Sequence, residues 1–287
     1  MPFQHPFSQI VHQRYSSRSY QADSGADPAF RDLADFITTL PSGPFNGPSR
    51  FQLAVANDDD QNALRGLGTY GTIKNPPGYI IGATRSAEKD LEDFGYRMEM
   101  IVLKAAELGL GTCWLGGLFT RSTFAKKISA VRGERIPAIC SVGIPDVKKT
   151  LAEVDLSRKR FGWELLFFNG DFSIPLKAET SGAYAGALEL LRLAPSAQDL
   201  QPWRVLKHAE NWHFYMQRTR GYHEMVMTPI TGIPDLQRID MGIGMAHFEQ
   251  AAMEAGMSGK WQMIDPKIPV TNKLMEYSVS WITGGIK

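Results

Sequence analysis

Leu40–Arg50 reads LPSGPFNGPSR and Ala194–Arg204 reads APSAQDLQPWR. Aligned without gaps, the two stretches share Pro41/Pro195, Ser42/Ser196, Pro48/Pro202 and Arg50/Arg204 at a constant offset of 154. A second pair follows in the same order: DFGYRMEMIVLKAAELGLGTCW from Asp93 and DMGIGMAHFEQAAMEAGMSGKW from Asp240, at an offset of 147. Here Asp93/Asp240, Gly95/Gly242, Met98/Met245, Ala105/Ala252, Glu107/Glu254, Gly109/Gly256 and Trp114/Trp261 coincide. Two amphipathic helices can share alanines by chance, but the Gly and Trp positions, and the repeated order of two blocks, point to internal duplication. The sequence therefore predicts two related halves, residues 1–175 and 176–287, with the boundary in NGDFSIPLKAETSG.

Local patterning fills in each half. Asp27-Pro28 is a helix entry, and Phe30, Leu33, Ile37 and Leu40 recur at helical spacing over 28–40. Pro41 to Pro48 breaks that helix, and Phe51, Leu53 and Val55 then alternate as a strand does. Gly78 to Ala83 is a second apolar run. Leu91, Phe94, Met98, Ile101, Val102, Ala105 and Leu108 share one face of a long helix that Gly109 can terminate. Ala138 to Ile144 reads as a strand, and Tyr277 to Ile282 stands in the corresponding place of the second half.

Composition narrows the function classes. The 287 residues are 43% hydrophobic and 21% charged, the profile of a soluble globular protein. Thirty-one Lys and Arg against thirty Asp and Glu leave no global field to recruit nucleic acid or an anionic membrane. A small-molecule partner is the expected one. Cys113 and Cys140 are too few for a disulfide framework or a metal cluster and fit a reducing, cytoplasmic setting. The first residues lack the pattern of a signal peptide, and no run approaches a membrane span.

Three segments carry chemistry. Arg14, Tyr15, Ser16, Ser17, Arg18, Ser19 and Tyr20 place two guanidinium groups and several hydroxyls within a few residues, suited to clamping a phosphate monoester. On spacing alone a solvated basic segment is the better reading. Pro195, Ser196, Asp199 and their neighbours up to Arg204 form a helix-to-strand bend lined with polar groups; a turn with a packed Trp is the plainer alternative. Gly109 to Gly117, including Cys113, Trp114, Leu115 and Gly116, reads as a Gly-rich turn whose backbone can approach a flat ligand, or as a helix cap. It lacks the order of a dinucleotide or P-loop signature. The loop His223 to Pro229 could cover a pocket with its Met side chains, or be core. No nucleophile elbow or zinc spacing is present, and no metal is expected.

Together these pieces resemble the nitroreductase family of FMN-dependent oxidoreductases. The family pattern is an Arg-x-Ser-x-Arg-x-aromatic opening, a P-S-x-x-N-x-Q-P-W turn, an Ala-rich helix ending in G-L-G-x-x-W, and late basic residues. Arg14, Ser16, Arg18 and Tyr20 look like the opening, Pro195 to Trp203 like the turn, Gly109 to Trp114 like the helix end, and Arg158-Lys159-Arg160 like the basic group. Lys74 is similar in position to a cation that such proteins place near the flavin ring. The resemblance implies an α+β nitroreductase-like fold, a mixed sheet with flanking helices, occurring twice as a pseudo-dimer; since such proteins usually pair as homodimers, the fused chain is expected to be a monomer, with a homodimer as the alternative. It also implies one composite FMN site, with the phosphate clamp from the first half and the Pro-Ser turn from the second. The other site, with no Arg between Lys177 and Tyr184 and a turn without Gln and Trp, is expected to be dead. NAD(P)H is the implied transient donor, with a nitroaromatic, quinone or similar conjugated acceptor; flavin chemistry needs no acid/base dyad. A flavin-binding protein without turnover, for storage or sensing, is the alternative, and a scaffold without flavin a third. The family's turn Asn is Asp199 here, which predicts either a lowered flavin potential or a protonated carboxyl group.

Overall fold

The computed structural model describes residues 2–21, 27–56, 73–117, 119–221, 233–270 and 272–284. The chain forms two compact units, one of His12–Ser157 (the N-unit) and one of Met1–Val11 with Arg158–Lys287 (the C-unit). The first helix, α1 (Phe7–Gln13), starts in the C-unit, where the Glu254 carboxylate accepts hydrogen bonds from the Phe7 and Ser8 N–H groups.

The N-unit opens with α2 (Pro28–Thr39), capped as its sequence suggests: Asp27 Oδ1 accepts from Ala29 N at 2.8 Å, and Pro28 occupies the first turn. Strands β1 (Ser49–Val55) and β2 (Gly78–Thr84) follow, then helix α3 (Asp90–Glu107), β3 (Gly111–Leu115), α4 (Arg121–Lys127), β4 (Ile139–Gly143) and α5 (Leu151–Ser157). The sheet order is β1-β2-β4-β3, antiparallel throughout. All seven residues of β2 are buried, which is why it reads as a continuous apolar run. One core cluster gathers Tyr79, Ile81, Phe119, Phe124 and Ile139. Elsewhere in the unit Phe94 of α3 meets Phe51 at 5.3 Å between ring centroids.

Helix α3 departs from a one-faced pattern. Its carboxylates Asp90, Glu92, Asp93 and Glu99 are buried along with its apolar side. Each has a named partner, as buried charge requires: Arg135 for Asp90, Lys89 for Glu92, backbone N–H groups for Asp93, and the Trp114 indole for Glu99 at 2.9 Å. Hydropathy periodicity registers only apolar positions, so it passed over these four.

The C-unit contains α6 (Trp163–Leu166), β5 (Phe167–Asn169), β6 (Asp171–Pro175), α7 (Ala185–Arg192), β7 (Trp203–His208), β8 (Asn211–Gln217), α8 (Leu236–Glu254), β9 (Ser258–Gln262) and β10 (Met275–Gly284). Its sheet runs β6-β5-β7-β8-β10-β9. The last four positions repeat the order of the N-unit sheet, and these pairings too are antiparallel. Helix α8 is buried on nearly every side, and Phe248 packs against Phe214, Trp261 and Trp281 at 5.2–6.0 Å. Gly244 lets it come close: a Cβ there would lie 2.9 Å from Leu191 Cδ1.

Two sequence expectations need correction. The units divide at Ser157/Arg158 rather than near residue 175, because β5 pairs in parallel with β7 and β6 pairs with β5, tying 167–175 into the second sheet. The basic group Arg158-Lys159-Arg160 consequently belongs to the C-unit. Within the Gly-rich segment, only Gly109, at φ +77°, makes a turn; Gly111–Leu115 is strand β3 paired along its length with β4. Cys113 and its neighbours are therefore ladder residues. The loop His223 to Pro229 lies outside the described residues.

Candidate functional site

In the N-unit the basic opening lies along the edge of β3. Ser17 N donates to Thr112 O at 2.8 Å, Lys74 N to Arg18 O at 2.8 Å, and Tyr20 N to Lys74 O at 3.1 Å. Ser16 bridges Thr112, and Ser19 bridges Lys74. A Cβ on Gly111 would sit 2.6 Å from the Ser17 Cβ, so the close approach needs glycine at that strand position. Along this segment Arg14, Ser17 and Tyr20 are buried, whereas Ser16 and Arg18, together with the neighbouring Lys74, are exposed. The buried Tyr20 hydroxyl fastens the segment by donating to Ser17 O at 2.7 Å and pairing with Ser141 Oγ at 2.8 Å.

The two arginines converge on Cys113. Burial pushes that thiol's pKa up, while the Arg18 charge and hydrogen bond, and the Arg14 charge, pull the other way. Tyr15 donates its hydroxyl to Val147 O at 3.0 Å. Trp114 is held by Glu99, Leu115 is buried, and the Gly116 and Gly117 carbonyls accept from Arg121 at 2.9 and 3.3 Å. The structure thus brings together Arg14, Ser16, Arg18, Lys74 and Cys113. Of these, Ser16, Arg18 and Lys74 present a hydroxyl and two cations to the outside, a donor set suited to a phosphate.

In the C-unit the turn after α7 is strained and heavily tied. Gln198, Asp199 and Gln201 all adopt left-handed backbone, at φ 55°, 56° and 43°. Each such non-glycine residue costs about 1 kcal/mol or more, so three in four positions persist only because the surroundings hold them. Asp, like Asn, tolerates this region better than most side chains, which accounts for an Asp at position 199. The holding contacts are explicit. Ser196 Oγ accepts from Gln201 N at 2.9 Å, Asp240 of α8 accepts from Ala197 N at 3.0 Å, and Gln201 Nε2 donates to Arg192 O at 2.9 Å. Arg160, 5% exposed, donates from Nη1 to Asp199 Oδ1 at 2.8 Å and from Nη2 to Leu193 O at 3.3 Å. Arg158 donates to Val11 O. Pro195 is buried in this turn between α7 and β7.

Sequence reasoning missed what pins the two turns. Asp93 accepts from Phe45 N at 2.9 Å and from Gly47 N, in the N-unit counterpart of the turn that Asp240 holds. The signal was available, since Asp93 and Asp240 coincide when the two stretches are aligned. The Arg160–Asp199 pair had no such signal, because the partners are 39 residues apart.

Among the described residues no group of three or more His, Cys, Asp or Glu is placed to hold a metal ion, and no helix is long and apolar enough to cross a membrane.

No protein of curated function matches the chain. A solved structure from Thermotoga maritima, described as a "putative nitroreductase", is similar over 97% of this chain and 94% of its own, at 16% identity and a TM-score of 0.63. A nitroreductase family protein of Clostridium novyi aligns with 52% of this chain and 92% of its own, at 22% identity and a TM-score of 0.42. A Desulfovibrio desulfuricans protein, titled a "putative nitroreductase in complex with FMN", aligns with 57% of this chain and 96% of its own, at 23% identity and a TM-score of 0.43. The Thermotoga likeness supports the fold, a nitroreductase-like arrangement of helices and sheets. Residues 7–252 match the family described as "Putative TM nitroreductase", and the chain belongs to that family.

Proposed function

We propose that this protein is an FMN-dependent oxidoreductase that passes electrons from NADH or NADPH to a nitroaromatic, quinone or other conjugated acceptor, with one FMN per chain. The observation that carries the reading is the exposure of Ser16, Arg18 and Lys74 on backbone segments that hydrogen-bond to one another and to β3, in a chain of this family. Its two cations and hydroxyl fit a phosphate monoester dianion, for which Arg offers bidentate charge-assisted bonds and Ser a neutral donor. We assign Arg14, Tyr15, Ser16, Arg18 and Lys74 to the phosphate end, with Cys113, Trp114, Leu115 and Gly116 as the adjoining strand wall. In the C-unit, Pro195, Ser196 and Asp199 are the cofactor-binding candidates of the turn. Arg158 and Arg160 are assigned as the residues that brace this unit's backbone.

When bound, FMN supplies the redox chemistry, taking two electrons from the donor and yielding them to the acceptor. The chain's own residues need only bind and orient. The Arg160 guanidinium gives the Asp199 carboxylate a fixed countercharge, so the negative charge expected to lower a flavin potential is offset where it arises. Asp199→Asn therefore moves the potential by only a few tens of mV, or about 1 kcal/mol; a shift beyond 100 mV in a redox titration would contradict that offset.

We also read the two units as copies of one ancestral unit, a pseudo-dimer within a monomeric, cytoplasmic protein acting on small molecules. The shared strand order and the paired Asp93 and Asp240 pins support the duplication. Sedimentation at micromolar concentration tests the monomer.

The deciding experiment is to release and quantify flavin from purified protein, then add NADPH and NADH anaerobically. About one FMN per chain, bleached by either nucleotide, is the expected result. One FMN that neither reduces would favour the storage or sensing alternative, and no flavin after reconstitution would refute the proposal.

A further inference from the structure

Arg50 and Arg204 occupy the same place in the repeat, each the second residue of its strand, β1 or β7. Their surroundings have diverged. Arg50 donates from Nε and Nη2 to the two carboxylate oxygens of Glu134 at 2.9 and 2.8 Å, and to Ile128 O and Ser129 O, so its charge is balanced and its donors are used. Arg204 donates only from Nη1, to Gln201 O at 2.9 Å and Trp203 O at 2.7 Å. Among the described residues no carboxylate pairs with it, and none accepts a hydrogen bond from its Nε or Nη2. Burial pushes its pKa down to about 10, which leaves it charged at neutral pH.

The free Nε/Nη2 edge is the one that in Arg50 grips a carboxylate side-on. Beneath the guanidinium lies the Phe161 ring, centroid 6.0 Å from Cζ and 37% exposed. Gln201 positions both groups. It is fully buried and left-handed, its Oε1 accepts from Phe161 N at 2.6 Å, and its backbone carbonyl accepts from Arg204. A partly desolvated cation without a countercharge is costly, and a joint that fixes the cation beside an aromatic face gives it a defined geometry.

We propose that Arg204 is the receptor for an oxyanion group, carboxylate or phosphate, of a small organic ligand, with Phe161 offering the apolar face beside it. The proposal goes beyond the flavin reading and does not depend on it. Under that reading the anion belongs either to the nucleotide donor or to the acceptor.

The test is a titration of purified protein with sodium benzoate and, separately, inorganic phosphate at constant ionic strength. It is followed by Trp fluorescence, which Trp203 beside Arg204 makes sensitive to the site. Saturable binding of either anion is expected, weakened about tenfold or more by Arg204→Gln and unchanged by Arg50→Gln. Arg204→Lys keeps the charge but not the side-on pair, and is expected to recover only part of the affinity even if the Gln variant folds poorly. Benzoate alone would identify a carboxylate site, and phosphate alone a phosphate site. Saturation by neither anion, or binding that survives in Arg204→Gln, would overturn the proposal whatever the flavin content. Where turnover is measurable, the KM of NADPH against NADH and of 4-nitrobenzoate against nitrobenzene locates the anion. A variant that shifts neither pair differentially counts against it.

Discussion

The N-unit and the C-unit share a four-strand order and a long buried helix whose Asp holds the preceding turn, yet they differ in almost every residue suited to binding. The N-unit extends its sheet at β3 with the basic segment Ser16 to Tyr20. The C-unit extends its own at β7 with β5 and β6, and carries the three left-handed turn residues. Arg50 is neutralised by Glu134 while Arg204 is not. What is common to both is what a sheet and a buried helix need in order to fold; what differs is concentrated where a ligand would be met.

The shared pin is the most severe test of that comparison. Asp93→Ala and Asp240→Ala should each destabilise the protein by about 2–3 kcal/mol in denaturant titrations, because the first leaves the Phe45 and Gly47 N–H groups and the second the Ala197 N–H group of a tied turn without an acceptor. A loss below about 0.5 kcal/mol at either position would break the equivalence of the two turns. The proposed clamp should be one-sided. Arg18→Gln is expected to weaken FMN binding about 30-fold, roughly 2 kcal/mol, and Lys177→Gln not at all, as read by flavin fluorescence on reconstitution. Equal losses would remove the asymmetry.

A smaller effect distinguishes the units by pH. His213 of β8, hydrogen-bonded through Nδ1 to Ser280 Oγ at 2.6 Å, has its pKa pushed down to about 4 by burial, with the nearby His208 adding to the shift. The folded state therefore resists a proton that the unfolded chain takes up near pH 6.5. Its contribution is complete above pH 6.5 and falls away by about 2 kcal/mol as pH drops toward 4. Five of the six Trp residues lie in the C-unit, so Trp fluorescence should report this acid destabilisation, and His213→Gln should flatten the slope. The smallest effect belongs to the N-unit. Hydrogen bonds from Arg50 hold the Glu134 carboxyl down at about 2, so the pair contributes above pH 4.5 and is lost as pH falls toward 2. Because Arg50 is 44% exposed, Glu134→Gln should cost only about 0.5–1 kcal/mol at pH 7.

Much of the fold was legible. The Asp27-Pro28 entry, the strand at Phe51 to Val55, the apolar run of β2 and the long helix ending at Gly109 all lie where local signals put them. The errors share one cause. The Gly-rich segment after Gly109 looked like a turn because glycines usually break structure, but Gly111 serves as the strand position against which Ser17 packs. The boundary near residue 175 followed the polar composition of that stretch, whereas β5 is claimed by parallel pairing with β7, a contact across some 38 residues that composition does not encode, and β6 follows by antiparallel pairing with β5. In the candidate site the opening, the turn and Lys74 were identifiable by residue type. Which of their side chains are buried, and that Arg160 braces Asp199, was not.

The sequence by itself determined the family, the pairs of similar stretches and the inventory of charged groups, because those are carried by residue identity and spacing along the chain. The tertiary structure alone decided where the units divide, which arginines have countercharges and which lack them, and that Gln201 fixes Phe161 and Arg204 together. Hydrogen bonds and ion pairs form between groups distant in sequence, and whether a charge is balanced depends on what lies within a few ångströms, not on its neighbours in the chain.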